Sequence, residues 1–313
     1  MNNSNFLYKQ KLQINGWLVI DKPLNITSFS VVSFIKKIIK GRKIGHSGAL
    51  DPMATGILPI AIGEATKVIE FAMNSIKEYE FVITFGEFRD TDDQEGKIIA
   101  KSNKYPSTKE IRNALKSFTG EVNLSPPIFS AIKIKGKRAY NLARQGLINE
   151  LPKRKTVIYK IELLEESNLN YCLEAKIRVL CSKGTYVRSI ARELALFLGT
   201  CGYVSYLRRI KVGSFIIPQA ISLENLERLH LSNKLLASVM PLEVVLDDIP
   251  AFTCSLEQAM FLRQGRALNV ELLEDSLDLD DGERVIKAFF DNKLIALVKQ
   301  ADNYLKPVKV FNY

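Results

Sequence analysis

The stretch from Gly45 to Pro59 constrains the fold most, because it concentrates residues that break regular secondary structure. It contains three glycines and two prolines, together with His46 and the carboxylate of Asp51. Glycine adopts backbone conformations that other residues avoid, and proline fixes φ and removes a donor. The stretch therefore predicts a loop of prescribed shape whose carboxylate is suited to act as a nucleophile or a general base. For an isolated Asp-Pro pair, the alternative is a turn aspartate that bonds its own backbone.

The longer string at residues 45–67 is much more specific than the Asp-Pro pair. GHSGALDPMATGILPIAIGEATK closely resembles GHxGTLDPxATGxLPxxxGxATK, the signature of the TruB family of RNA pseudouridine synthases. Ala49 stands where the family usually has threonine, next to the site but not at the nucleophile. The resemblance implies that Asp51 is the catalytic aspartate.

Two further motifs place residues near that aspartate. Residues 16–28 resemble the family's opening motif G-x-L-x-x-D-K-P-x-x-x-T-S, which implies that Lys22 and Pro23 support the active site and that Lys22 lies close to the RNA. Asn25 replaces a common glycine, and asparagine tolerates a left-handed φ. Tyr79 falls where the family places an active-site tyrosine that stacks on an extruded base. Taken alone, Lys22 fits a solvated charge as well, and a strand tyrosine is usually core.

The segment GEFRDTDDQEG at residues 86–96 is acidic and turn-rich. It partly matches the family's G-x-x-T-D-T-x-D-x-x-G segment, with Arg89 in place of threonine. We interpret Asp90 as a pocket-lining or structural carboxylate. We interpret Asp92 and Asp93 as solvated loop charges.

Five basic residues are interleaved with aromatic and aliphatic residues between Ser125 and Arg144. Cations suit phosphates and aromatic rings suit bases, which is the composition that RNA contact requires, although a solvated basic face is equally consistent with it. The segment resembles the family's P-P-x-x-S-A-x-K-x-x-G-x-R-A-Y motif, which favours RNA, and the basic run at 153–155 extends this surface. The predicted RNA contacts here are Lys133, Lys135, Arg138, Tyr140 and Arg144.

Residues 181–190 combine a turn with the start of a helix. Thr185 is predicted to cap this helix, and Arg188 lies in its first turn, where a cation opposes the positive helix terminus. An anionic partner would remove that conflict. C-S-K-G-T-Y-x-R resembles the family motif whose arginine pairs with the catalytic aspartate, which assigns Arg188 that role and predicts that Tyr186 contacts the substrate. Downstream, L-R-R at 207–209 resembles a family strand in which Leu207 lines the pocket. Arg208 and Arg209 are candidate phosphate contacts, and paired surface charges are the alternative.

Charge and cysteine usage limit the class of partner and the compartment. The chain has 44 Lys and Arg against 34 Asp and Glu, and residues 251–313 hold 8 basic and 10 acidic side chains, so the basic excess lies in residues 1–250. A basic main domain favours a polyanionic partner. The four cysteines form no C-x-x-C pair and the two histidines have no metal-ligand spacing, which fits a reducing cytoplasm. A polar amino terminus and the lack of a long apolar run predict neither a signal peptide nor a membrane span.

The predicted fold class is α+β. The resemblance implies a mixed, mainly antiparallel pseudouridine-synthase sheet flanked by helices, plus a small β-rich PUA-like C-terminal domain. We place a catalytic domain at residues 1–248, with an RNA-gripping segment at 125–150, and the PUA-like domain at 249–313. An antiparallel hairpin is predicted from residues 155–166 and 171–181, three late strands from 283–290, 294–299 and 305–311, and a solvated acidic loop from 271–281.

The implied activity is isomerisation of uridine 55 in the tRNA T-loop. Uracil is detached from ribose, rotated and rejoined through C5, so no electrons enter and no cofactor is needed. His46 is expected to stack in or fill the gap left by the flipped base. An RNA-binding or tRNA-folding chaperone with incidental catalysis, and a guide-RNA-dependent synthase that needs protein partners, are the alternatives. We expect tRNA as the partner, no membrane association, a monomer and no obligate protein partner.

Overall fold

The structure is a computed structural model that describes residues 14–164, 169–270 and 284–312. Strands dominate the part of the chain before residue 217. In chain order these strands are β1 (Gly16–Lys22), β2 (Ile44–His46), β3 (Ala54–Ile62), β4 (Lys77–Phe85), β5 (Glu87–Arg89), β6 (Ile98–Lys101), β7 (Gly120–Leu124), β8 (Lys133–Ile134), β9 (Lys137–Arg138), β10 (Arg154–Leu163), β11 (Glu174–Cys181), β12 (Gly202–Val212) and β13 (Phe215–Ile216).

The helices fall between these strands and continue after them. The α-helices are α1 (Ser28–Ile38), α2 (Ile69–Asn74), α3 (Thr108–Lys116), α4 (Ala139–Arg144), α5 (Val187–Phe197), α6 (Leu223–Leu231) and α7 (Leu256–Arg263). The 3₁₀ turns are Gly63–Val68, Ile217–Gln219, Leu235–Ser238 and Leu242–Val245.

One large sheet carries the site. Its strand order is β1-β3-β12-β4-β11-β10-β7, with β2 paired to β3 and β13 paired to β12. The β3–β12 pair is parallel and the other pairs of this sheet are antiparallel. The predicted mixed, mainly antiparallel sheet is therefore confirmed. The parallel pair matters for the site, because it sets Leu207 beside Ala54, three residues after Asp51.

Helices cover the sheet wherever its strands present apolar side chains. Helix α5 packs against β12 with the apolar face formed by Ile190, Ala191 and Leu194, each of which is fully buried. This cluster also includes Phe81, Val179 and the apolar side chains of α3. Burial of such a face, more than helix propensity, stabilises a short helix. The flanking helices of the predicted fold are thus confirmed.

Polar side chains cap several of the helices, and one predicted cap can be compared with them. Thr27 caps α1, and the capping boxes of Ser107 with Glu110 and of Ser255 with Gln258 are present. The cap predicted at Thr185 is wrong. Its hydroxyl donates to the Ser182 carbonyl at 2.9 Å, so the turn before α5 uses it and the helix begins without a side-chain cap.

A five-stranded sheet forms the carboxyl-terminal part, in the order β14-β16-β17-β18-β15. Its strands are β14 (Ala251–Thr253), β15 (Leu268–Asn269), β16 (Val285–Phe290), β17 (Lys293–Ala301) and β18 (Tyr304–Val310), which confirms the β-rich tail. Leu294, Leu297 and Phe311 share a core with Trp17 and Phe215 of the large-sheet part. The sheet starts just after the predicted boundary at residue 248, but because the two parts share this core, the division into separate domains stays a prediction.

Parts of three predicted elements lie outside the described residues. They are the whole acidic stretch at 271–281, the start of the predicted strand at residue 283 and the last two residues, 165–166, of the first predicted hairpin strand. Within the described ranges, none of the helices is both long and apolar enough to cross a membrane. The same ranges contain no group of three or more His, Cys, Asp and Glu side chains placed to hold a metal ion.

Candidate active site

The loop that carries Asp51 is held by the first turn of α1. The Ser28 hydroxyl accepts from the Leu50 amide at 2.8 Å and lies 3.2 Å from the Leu50 carbonyl. The loop needs glycine at residue 48, where φ is +127°. These contacts fix the backbone on one side of Asp51.

Lys22 and Asn25 hold the other side of the loop. The Lys22 ammonium donates to the carbonyls of Pro23, Ile26 and Pro52 at 2.8–3.2 Å, and the Asn25 amide donates to the Pro52 carbonyl at 2.9 Å. Asn25 has a φ of +63°, the conformation for which asparagine was expected to substitute for glycine. Lys22 is 0% exposed, and burial lowers its pKa to about 8. The structure therefore gives Lys22 a loop-supporting position and leaves none of its surface open to RNA.

Arg188 contacts Asp51. Its Nη2 lies 3.0 Å from Oδ2 of Asp51, and the two side chains are 5% and 39% exposed. The carboxylate is thus partly exposed while the guanidinium is buried. The predicted pair is present in the geometry. It resolves the conflict of a cation in the first turn of a helix.

A second carboxylate shares the same guanidinium. Arg188 Nη1 lies 3.3 Å from Oδ2 of Asp93 and donates to the Thr91 carbonyl at 2.9 Å. Asp93 also accepts from the Thr91 hydroxyl at 2.6 Å and from the Glu95 amide at 3.0 Å. It is 3% exposed, and desolvation raises its pKa.

Asp92 is buried in the same way. Its carboxylate contacts Arg192 of α5 at 2.5 Å, and desolvation raises its pKa to about 6 despite this partner. The interpretation of Asp92 and Asp93 as solvated loop charges is therefore wrong, because both are folded against α5. Asp90, in contrast, accepts from the Lys97 amide at 2.9 Å, which makes it a structural carboxylate of the turn.

Arg209 supports the site from behind, and its interpretation as a phosphate contact or a paired surface charge is wrong because the side chain is buried. It is 2% exposed, and it donates from Nε to the Ile57 carbonyl at 2.7 Å and from Nη2 to the Gly48 carbonyl at 3.1 Å. It also reaches Tyr79. Burial raises the pKa of the Tyr79 hydroxyl, and the charge of Arg209 and its hydrogen bond act in the opposite direction. Arg209 therefore connects the loop that carries Asp51, β3 and the predicted stacking tyrosine.

The neighbouring Arg208 points to the other face of the sheet. It forms a two-pronged ion pair with Asp21, at 3.0 and 2.7 Å. The L-R-R pattern could not separate the two arginines, although strand alternation puts successive side chains on opposite faces. Leu207 is buried against the cluster that also holds Tyr79, which brings it to the site, whereas Arg208 lies away from it.

His46 lies at the start of the loop that carries Asp51. Its Nδ1 accepts from the Gly48 amide at 3.2 Å. Burial, followed by the charge of Arg209, lowers the pKa of His46. A neutral ring suits the predicted stacking role, which stays a prediction.

The predicted RNA-gripping segment contacts Arg188 through its backbone. Arg188 Nη2 contacts the Phe129 carbonyl at 3.3 Å. Beyond that point, β8 and β9 form a hairpin whose turn residues Lys135 and Gly136 both have positive φ. The predicted contacts of this segment are all exposed: Lys133, Lys135, Arg138, Tyr140 and Arg144. Tyr186, partly buried, lies between this segment and α5, and burial raises its pKa.

The fold matches chains of two solved structures. A chain of "Structure of H/ACA RNP bound to a substrate RNA containing 2'-deoxyuridine" aligns with a TM-score of 0.72 at 22% identity, covering 95% of this chain and 85% of that one. A chain of "Crystal Structure of a Cbf5-Nop10-Gar1 Complex" gives 0.71 at 24% identity, covering 95% and 84%. At these identities the match establishes the shared fold.

Sequence comparison finds relatives of higher identity than these structures. A model described as "TruB family pseudouridylate synthase (N terminal domain)" matches residues 36–187, and one described as "tRNA pseudouridylate synthase B C-terminal domain" matches residues 188–247. A "tRNA pseudouridine synthase B" of Caulobacter vibrioides is 43% identical over 303 residues, covering 95% of this chain and 96% of the relative. One of Rhodospirillum rubrum is 42% identical, covering 96% and 97%. The chain belongs to the TruB family of pseudouridylate synthases.

Proposed function

We propose that the chain isomerises uridine 55 in the T-loop of tRNA to pseudouridine, and that Asp51 starts the rearrangement. The observation that carries the proposal is the Asp51–Arg188 contact at 3.0 Å, in which a partly exposed carboxylate is paired with a buried guanidinium. The relatives named tRNA pseudouridine synthase B support tRNA as the substrate.

The reaction needs only groups that the chain can supply. The bond from ribose C1′ to uracil N1 breaks, a bond from C1′ to C5 forms, the C5 hydrogen leaves as a proton and N1 gains one. Atoms and electrons balance without an oxidant or reductant. Arg188 stabilises the charged form of Asp51, since a nearby cation favours a carboxylate over the carboxylic acid.

One side chain contacts the extruded base, and another fills the position that the base leaves. Tyr79 forms the wall on which the extruded uracil stacks, supported by Arg209 from behind. His46, on the rim of the loop, fills the gap that the base leaves in the stem-loop. Neither group needs to transfer a proton for these roles.

The remaining contacts are to the RNA backbone. The exposed cations of residues 133–144 grip the stem-loop, and their charge makes binding depend on salt. We propose that the enzyme acts on tRNA as a cytoplasmic monomer without an obligate protein partner.

The test is tritium release from a C5-labelled T-arm transcript. The wild type should release tritium, and Asp51→Asn should lower the rate at least about a thousandfold while RNA binding persists. Asp247→Asn, at an exposed site, is the matched control and should match the wild type. Replacing uridine 55 by cytidine should abolish release by the wild type.

Contrary results separate the alternatives. Tight RNA binding without release by the wild type would favour an RNA chaperone. Release that appears only with an added guide RNA and partner proteins would favour the guide-dependent class. Release unaffected by Asp51→Asn would remove Asp51 from the chemistry.

A further inference from the structure

A cavity of about 390 Å³ lies beside the active site, between β10, the turn that leads into α5 and the end of α2. Arg154, Lys155 and Lys183 line it, whereas none of its described lining residues is an aspartate or a glutamate. A concave surface that carries cations and no carboxylates focuses a positive potential. Its chemistry favours an anion.

We propose that this cavity binds one phosphate of the RNA backbone next to the isomerised uridine. The proposal rests on the proposed function, and it adds a defined phosphate subsite to it. Exposed cations on a convex surface are commonly solvated without a ligand, so the proposal depends on which donors in the cavity remain unused.

The hydroxyl groups of the cavity are largely used within the protein. Thr185 donates to the Ser182 carbonyl at 2.9 Å and also contacts the Thr156 hydroxyl. Ser189 donates to the Ser125 carbonyl at 2.7 Å. The cationic side chains are therefore the main source of free donors.

The three cations differ in how far they are neutralised. Lys155 contacts Glu121 at 2.8 Å, with both side chains more than half exposed. Lys183 donates to the side-chain oxygen of Asn74 at 3.0 Å, an uncharged acceptor that positions the ammonium and leaves its charge in place. Among the described residues, neither Lys183 nor Arg154 has a carboxylate within ion-pair distance. The positive charges of Lys183 and Arg154 are therefore not neutralised by any described carboxylate.

The turn before α5 links the cavity to Asp51. Tyr186 lines the cavity, and two residues later Arg188 contacts the catalytic carboxylate. A flipped nucleotide stays attached to its two flanking phosphates, so one of them must lie near the pocket that receives the base. The volume accommodates a phosphate together with its ribose.

The first experiment compares salt dependence of RNA binding. Lys183→Ala and Arg154→Ala should each weaken T-arm binding about five- to tenfold and reduce the slope of log Kd against log salt by about 0.7, the value for one single-strand phosphate contact. Lys160→Ala is the matched control, because Lys160 lies on the same strand as Arg154 but is paired with Glu162. It should leave Kd within about twofold of the wild type. Unchanged slopes in both cavity variants would overturn the proposal.

The second experiment identifies the phosphate without altering the protein. T-arm RNAs carry one neutral methylphosphonate, either 5′ or 3′ of the target uridine. The wild type should lose affinity for one of them, and Lys183→Ala should lose little further, because the contact is already gone. Full additivity, or no loss at either position, would overturn the proposal even if a cavity variant folds poorly.

Failure of this subsite can be told from failure of the proposed function. A wild type that releases tritium, combined with variants that bind RNA normally, rejects the cavity alone. A wild type that releases none rejects the function, whatever the cavity variants do.

Discussion

The two faces of the large sheet differ in how deeply their charged side chains are buried. On the face toward Asp51, Arg188 and Arg209 are almost fully buried and are held by carbonyls, carboxylates and a tyrosine. On the opposite face, Arg178 and Arg208 form ion pairs that remain partly exposed. Exposed pairs contribute about 0–1 kcal/mol, whereas removing one member of a buried polar group leaves its partners unsatisfied. Charged side chains on the face toward Asp51 therefore determine the structure. Those on the opposite face, which carries Arg178 and Arg208 and is called the open face below, add little to stability.

The largest expected difference is between the two adjacent arginines. Arg209→Met should lower the free energy of unfolding by about 3–5 kcal/mol, because the carbonyls of Ile57 and Gly48 lose buried donors. Arg208→Met, the matched control, should cost less than about 1 kcal/mol, since its pair with Asp21 is partly exposed. Urea denaturation monitored by the fluorescence of Trp17 measures both. Equal losses would break the comparison between the two faces.

The next largest expected effect is a pH dependence of stability that comes from Asp92, on the face toward Asp51. Burial raises the pKa of Asp92 from its usual 3.8 to about 6, so the folded state binds a proton that the unfolded state has already lost. Stability from this group is therefore present near pH 4 and lost as the pH rises to about 6. Relative to Asp92→Asn, the wild type should lose about 2–3 kcal/mol between pH 4 and pH 6.5.

Denaturation at several pH values checks this sign. Asp247→Asn, an exposed aspartate, is the control and should leave the pH profile of the wild type unchanged in shape. A difference between the wild type and Asp92→Asn that grows in favour of the wild type with rising pH would show that the ion pair with Arg192 outweighs desolvation.

The same contrast explains what the sequence could predict. Asp51 and Arg188 were paired in advance because each lies in a specific motif, and their contact at 3.0 Å agrees. Asp92 was misplaced because residues 86–96 have the composition of a solvated turn, and its partner Arg192 is a hundred residues away. Burial of that kind is decided by tertiary packing, which local composition does not encode.

Arg209 gives a second reason why the sequence did not predict the whole site. The doublet at 208–209 offers two identical side chains, and strand alternation predicts opposite faces without saying which face is buried. The parallel pairing of β12 with β3 decides it, by setting Arg209 beside Gly56. A side chain at Gly56 would meet the Arg209 backbone at 2.2 Å, so the glycine in the signature permits the close approach of β12. That reason for the glycine was visible only in the fold.

The smallest expected effect is on the open face. Arg178→Met removes contacts to Glu80 at 2.6 Å and Glu162 at 3.9 Å, but Lys176 remains near Glu80 and Lys160 near Glu162. The free energy of unfolding should fall by less than about 1 kcal/mol, and 0.5 M salt should reduce the difference further because exposed pairs are screened. A loss as large as that of Arg209→Met, insensitive to salt, would mean that the ladder of charges across β4, β10 and β11 stabilises the sheet as a network. The open face would then also depend on its charges for structure, and the distinction between the two faces would no longer hold.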